Sequence, residues 1–170
     1  MNGELPKRKN IRLQNFDYSS PGVYFITICT ENRKNYFWSG VFEEDAFRMD
    51  SVGENFVRPK NLPLSPIGKT VMCELERWNI TYENVSVDAY TIMPDHLHVL
   101  VTISKSVNGR TQFAPTVSRM VKQFKGAVTK AIGFPIWQKS FMEHIIRDED
   151  DYNTRLKYIC DNPLKLKLLK

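Results

Sequence analysis

The sequence predicts an α+β domain, a ferredoxin-like split βαβ. It has a central antiparallel sheet with helices on one face and a further helix at the C-terminal end. Three observations predict it. Short runs rich in β-branched and aromatic residues occur at four places. Apolar stripes at spacings of three and four occur between and after them. The order along the chain is β-α-β-β-α-β-α, which this architecture accommodates. The length of 170 residues falls within the roughly 100–200 residues of an ordinary domain. One domain over residues 1–170 is therefore expected, with 1–20 as a polar, basic N-terminal arm.

The elements follow in order. Val23-Tyr24-Phe25-Ile26-Thr27-Ile28-Cys29-Thr30 begins after Pro21-Gly22 and reads as a buried strand. Residues 38–63 carry acids, Gly40, Gly53, Pro59 and Pro63, and read as an irregular excursion with room for a short hairpin. Ile67, Val71, Met72, Leu75 and Trp78 share one helical stripe, started by Ser65-Pro66. Residues 85–92 and 96–103 are strands joined at Met93-Pro94-Asp95, hence a hairpin. Val117, Met120, Val121, Phe124, Val128 and Ala131 mark a helix over 116–132, ended by Gly133 and Pro135. Residues 136–138 and 141–146 read as a fourth strand with an irregularity at Lys139-Ser140. The last helix opens on Asp148-Glu149-Asp150-Asp151, acids suited to the positive end of a helix dipole. It is expected to end near Asp161, because Pro163 disfavours helix at the residue before it.

Composition narrows the function classes. Hydrophobic residues make up 42% and charged residues 25%, an ordinary globular mix that argues against a disordered or fibrous chain. No apolar run approaches the roughly 18–20 residues of a membrane span. The charges of residues 1–9 have no apolar stretch behind them, so no secretory signal is expected. Cys29, Cys73 and Cys160 form no CxxC pair and read as thiols in a reducing cytoplasm. The net charge is +5. Its surplus is concentrated over residues 104–147, with 8 basic side chains against 1 acidic. A surface that tracks phosphates needs such an asymmetry, although a solvated basic face would produce it too. The best candidate phosphate contacts are Arg119, Lys122 and Lys125, off the apolar stripe of their helix. Lys7, Arg8, Lys9 and Arg12 offer a basic arm. Trp38, Trp78 and Trp137 could stack on bases or pack in the core, and for Trp78 and Trp137 the core is the better reading.

Two constellations could carry chemistry. His96 and His98 alternate on a strand, so their imidazoles share a face and could share one cation. The plain alternative is a pair of structural histidines. Tyr158 and Asn162 are four apart, hence neighbours on one helical face, off the stripe of Tyr152, Leu156 and Ile159. A phenol can be a nucleophile and an amide carbonyl a ligand for a hard cation. An amphipathic tyrosine and a helix-ending asparagine would look the same. His144, in an apolar strand, reads as a structural hydrogen-bonding residue.

Taken together, the motifs carry a resemblance. Thr91-Ile92-Met93-Pro94-Asp95-His96-Leu97-His98-Val99-Leu100 resembles the HUH (His–hydrophobic–His) strand of single-tyrosine transposases. Residues 136–148 resemble the segment before the catalytic helix in their REP-associated branch. Tyr158-Ile159-Cys160-Asp161-Asn162-Pro163 is similar to that branch's nucleophile motif, and Gly22-Val23-Tyr24-Phe25-Ile26-Thr27 to its first strand. The resemblance spans residues 20–165. It implies a metal-dependent transposase and endonuclease that binds DNA hairpins. Such an enzyme cleaves and rejoins single-stranded DNA through a 5′-phosphotyrosine link. It further implies Tyr158 as nucleophile, with His96, His98 and Asn162 holding a divalent cation, Mg²⁺ or Mn²⁺. The C-terminal helix is then the catalytic one. A monomer or a homodimer is compatible with this reading. An alternative is a domesticated, non-catalytic DNA-hairpin-binding module of the same fold. Replication initiation by a related HUH nuclease would call for an attached helicase domain.

Overall fold

Backbone pairing of the apolar runs builds one sheet. The computed structural model describes residues 20–40, 48–51, 57–60, 62–105 and 116–167. In chain order the elements are β1 (Gly22–Cys29), β2 (Arg48–Ser51), β3 (Val57–Lys60), α1 (Pro66–Glu76), α2 (Trp78–Thr81), β4 (Val85–Ile92), β5 (His96–Ile103), α3 (Val117–Ile132), β6 (Met142–Ile146) and α4 (Glu149–Lys167). The sheet order is β2-β3-β4-β5-β1-β6. Its strands β4-β5-β1-β6, up to the β6 edge, are antiparallel throughout, and this is the strand order of the expected split βαβ. The excursion over 38–63 supplies the antiparallel pair β2 and β3, and β3 joins β4 in parallel through Val57 and Ala89.

Strand alternation gives the sheet two apolar faces. On one face Tyr24, Ile26 and Ile28 of β1 and Val99 and Val101 of β5 meet Val71 and Leu75 of α1 and Met120, Phe124 and Val128 of α3. On the other, Phe25, Ala89 and Leu100 meet Ile159 of α4, flanked by Tyr152 and Leu156. The first three helices thus cover one face and the C-terminal helix covers the opposite one. A bulge between Val87 and Ala89 serves both cores. Before it Val85 and Val87 face the first core; after it Tyr90 and Ile92 do, and Ala89 turns to the second.

Local signals fix the helices. Ser65 caps α1, its Oγ accepting from the Gly68 N–H at 3.0 Å and donating to the Tyr36 carbonyl at 2.6 Å. A Cβ on Gly68 would lie 2.2 Å from the Phe37 carbonyl oxygen, so only glycine lets α1 approach this strand-exit segment. Thr116 caps α3, and Gly133 at φ 87° closes it in the left-handed conformation. The tryptophans are structural. Trp78 is buried, the Trp38 indole N–H donates to the Ile92 carbonyl at 2.7 Å, and Trp137 packs between Phe37 and Phe124.

Two boundaries differ from expectation. The fourth strand begins only at Met142, and residues 136–138 touch the end of β1 through an isolated bridge between Thr30 and Trp137. The reason is a competing donor. The Lys125 ammonium takes the Gln138 and Ser140 carbonyls at 2.8 and 2.9 Å, which stabilises an irregular chain there instead of a ladder. The last helix runs on to Lys167, with Pro163 inside it. An interior proline costs roughly 3 kcal/mol and frees the carbonyl four residues back. Here Pro163 is buried one turn beyond the buried Ile159, and its packing offsets part of that cost.

Candidate active site

The register of β1 against β5 assembles the site. Thr27 lies opposite His98 and Cys29 opposite His96, so Phe25, Thr27 and Cys29 share a sheet face with both histidines. This is the face covered by α4. The two Nε2 atoms approach to 3.1 Å. Each remaining ring nitrogen has a partner: His96 Nδ1 lies 2.6 Å from Asp95 Oδ1, and His98 Nδ1 lies 2.8 Å from Thr27 Oγ1.

These contacts decide protonation. An ionised carboxylate only accepts, so His96 carries its proton on Nδ1 and presents an Nε2 lone pair. Burial lowers the pKa of His98 to about 3, and the charges of His96 and Arg33 add to the effect. Burial also lowers the pKa of His96, outweighing the hydrogen bond and charge of Asp95 that would raise it. Both imidazoles are therefore neutral near pH 7.

Tyr158 closes the site from α4. Its ring meets that of His98 edge-on at 5.1 Å between centroids and that of Phe25 at 6.0 Å. Phe25 in turn stacks on His98 at 5.3 Å and 17°. The Arg155 guanidinium lies over the opposite partner of this stack, 5.3 Å from the Phe25 centroid. Tyr158 remains 38% exposed, so part of its side chain is open to solvent. Asn162, on the next turn of α4, is partly buried, and its Nδ2 is buried without a hydrogen-bond partner.

The donor set fits a divalent cation. Two neutral imidazoles point Nε2 at one another, which leaves them repelling unless a proton or a cation lies between. With a cation there, His98 would donate from Nδ1 to the Thr27 hydroxyl and free Nε2 for ligation, the usual way an outer partner selects the ligating nitrogen. Among the described residues, no group of three or more His, Cys, Asp or Glu side chains could hold a metal ion. A further ligand from the described residues would then be of another type, such as the amide carbonyl of Asn162.

Two polar anchors dock α4 on the sheet. His144 Nε2 lies 2.7 Å from Asp151 Oδ2, the structural hydrogen bond expected of this histidine. On the interior strand β4 the Tyr152 phenol hydrogen-bonds the buried Asp88, which also accepts from Thr102 Oγ1 at 2.6 Å.

Beside the histidines, the turn Glu31–Arg33 follows β1. Asn32 and Arg33 have φ of 54° and 55°, a conformation that costs roughly 1–3 kcal/mol for a residue with a side chain. The Arg33 Nε lies 2.7 Å from Asp95 Oδ2. Arg33, Asp95, His96, His98 and Thr27 thus form one continuous chain of contacts. Arg33, Phe25, Thr27 and Asp95 were not singled out by sequence. Alternation from Phe25 to Thr27 to Cys29 was visible, but only the strand register sets them against the histidines.

The structure separates the basic residues from the histidine pair. Arg119, Lys122 and Lys125 lie on α3, across the sheet from His96 and His98. Lys125 spends its ammonium on two carbonyls, and burial lowers its pKa. Lys7, Arg8, Lys9 and Arg12 lie outside the described residues. No described helix is long and apolar enough to cross a membrane.

No protein-family model matches the chain. An uncharacterized protein of Haemophilus influenzae is 30% identical over 96% of this chain and 92% of its own length. A candidate REP-associated tyrosine transposase of the same organism is 28% identical over 88% of this chain and 74% of its own length. The REP-associated tyrosine transposase of Escherichia coli K12 is 35% identical over 46% of this chain and 44% of its own length. This chain belongs to the REP-associated tyrosine transposase family. A solved structure of a REP-associated tyrosine transposase bound to a REP hairpin shares the fold, with a TM-score of 0.60 and 20% identity. The match covers 91% of this chain and 74% of that one.

Proposed function

We propose that this protein is a metal-dependent transposase that cleaves and rejoins single-stranded DNA beside a hairpin. The observation that carries this reading is the meeting of Tyr158 with the His96 and His98 pair, three side chains brought together from a strand and a helix far apart in sequence. The hairpin in the related solved structure supports a hairpin-bearing substrate.

In the proposed reaction the Tyr158 oxygen attacks the scissile phosphorus. The bond from phosphorus to the 3′ oxygen breaks, and the tyrosyl–5′-phosphate bond forms. The phenol proton is lost and the departing 3′ oxygen gains one, so the bond energy is conserved for rejoining. Held by His96, His98 and Asn162, Mg²⁺ or Mn²⁺ would polarise the phosphate and stabilise charge on the departing oxygen. The Tyr158 phenol gives up its proton as it attacks. Phe25 and His98 hold its ring in place, and Asp95 and Thr27 hold the imidazoles. Arg119 and Lys122, across the sheet, would serve the hairpin flanks rather than the scissile phosphate, and Lys7, Arg8, Lys9 and Arg12 would serve as a basic arm. All of this belongs to one domain, monomeric or dimeric, acting in the cytoplasm.

The test uses hairpin oligonucleotides with single-stranded flanks and Mn²⁺. The wild-type protein is expected to give a denaturation-resistant protein–DNA band that a chelator abolishes. The His96→Ala/His98→Ala variant should fold and bind hairpin yet give no band. Hairpin binding without any band from the wild type would mean a binding module that has kept the fold.

A further inference from the structure

The turn after β1 is costly to hold and is held firmly. Asn32 and Arg33 are consecutive left-handed residues, neither of them glycine. Four contacts pin their surroundings. The Thr30 N–H donates to the Asp95 carbonyl at 2.9 Å and the Glu31 N–H to the Ile136 carbonyl at 2.7 Å. The Thr30 hydroxyl sits within 2.9 Å of the Asp95 carbonyl and 2.8 Å of that of Lys34. An ion pair with a half-exposed arginine adds little stability, so the pairing with Asp95 does not by itself account for the strain. Strained backbone of this kind gathers where a side chain must be aimed.

The aim is toward the histidines. Arg33 Nε faces Asp95 Oδ2 at 2.7 Å, and Nη1 faces Cys29 Sγ at 2.9 Å. Two of the three guanidinium nitrogens are thereby turned inward, while the side chain stays 51% exposed. The described basic residues of α3 lie across the sheet from the histidines.

We propose that Arg33 is a phosphate-binding residue of this site. Asp95 and the strained turn present its open N–H edge to the backbone of a single strand laid across His96 and His98. A planar guanidinium suits this task, because it offers parallel donors to two phosphate oxygens. Asp95 then has two jobs, fixing the His96 ring and fixing the arginine. The inference rests on the single-strand cleavage reading above.

The experiment compares the full-length wild type with Arg33→Ala and Arg33→Lys. A short oligonucleotide without a hairpin is the DNA probe, titrated over a salt series at fixed Mn²⁺. Mn²⁺ affinity is measured separately without DNA. For Arg33→Ala, the slope of log affinity against log salt should fall by about 0.7, the loss of one single-strand phosphate contact. Its Mn²⁺ affinity should stay near that of the wild type. Arg33→Lys should restore the slope without fully restoring cleavage, because a point charge replaces a fork. An unchanged slope in Arg33→Ala overturns the proposal. If Mn²⁺ affinity also drops by roughly 10–100-fold, Arg33 is instead a buttress for Asp95 and His96. A wild type that binds no single strand and forms no adduct overturns the cleavage reading itself, and this inference with it.

Discussion

The chemistry of this site depends on which nitrogen of each imidazole is free, and that is settled by small neighbours. Thr27 and Asp95 occupy the two Nδ1 atoms, leaving both Nε2 atoms on one spot. Thr27→Val removes one partner and leaves a buried ring nitrogen unsatisfied, at a cost of about 1–3 kcal/mol. Mn²⁺ affinity should fall roughly 10–100-fold, as for the loss of other outer partners of ligating histidines. Calorimetric titration checks this, and unchanged affinity would remove Thr27 from the account. At this scale the sequence was legible where a side-chain pair depends on local spacing. Two residues apart on a strand put His96 beside His98, and four apart on a helix put Tyr158 beside Asn162. Phe25, Thr27 and Arg33 were not legible. Their roles come from a strand register that joins positions about 70 residues apart, 27 and 98, and from a left-handed turn with no glycine to mark it.

Among the elements, α4 carries the most consequence, because it delivers Tyr158. Its apolar contacts through Ile159, Leu156 and Tyr152 are supplemented by His144–Asp151 on the edge strand β6 and Asp88–Tyr152 on the interior strand β4. Burial raises the Asp88 pKa above its ordinary 3.8, against the hydrogen bonds from Thr102, Ser86 and Tyr152 that lower it. The folded state then keeps this proton to a higher pH than the unfolded chain. The stability it contributes is full below the unfolded value and is lost as pH rises through the raised one. Asp88→Asn keeps an acceptor for Thr102 and removes the titration. It should flatten the decline in urea midpoint as pH rises from about 4 toward 7; a decline as steep as in the wild type would refute this role. The stripe and the acidic first turn of α4 were readable from periodicity. Its passage through Pro163 was not, because burial of the ring outweighs a local rule about backbone. The late start of β6 was hidden for a similar reason. Lys125, an ordinary exposed lysine by sequence, takes the carbonyls that a longer strand would have paired.

For the whole molecule, the sheet separates two tasks. One face, under α1 to α3, holds the larger core; the other, under α4, holds a small core and the site. The strand order followed from the order of the elements, since a β-α-β-β-α-β chain has few ways to bury its apolar runs in one sheet. The charge pattern was legible only in part. The basic surplus over residues 104–147 is carried partly by α3, on the sheet face opposite the histidines, so its nearness in sequence to both motifs did not translate into nearness in space. Among the described residues, Arg33 reaches the histidine pair through Asp95, and Arg155 and Lys165 lie over the Phe25 and Tyr158 rings beside it.

The central claim is that Tyr158 forms a covalent bond to DNA. The direct test is to isolate the adduct formed with a hairpin oligonucleotide and Mn²⁺, digest it, and map the linked peptide by mass spectrometry. The account predicts a nucleotide on the peptide that contains Tyr158, and neither adduct nor cleavage from Tyr158→Phe, which should still bind the hairpin. Cleavage by Tyr158→Phe at the wild-type rate, or an adduct on another residue, would contradict it.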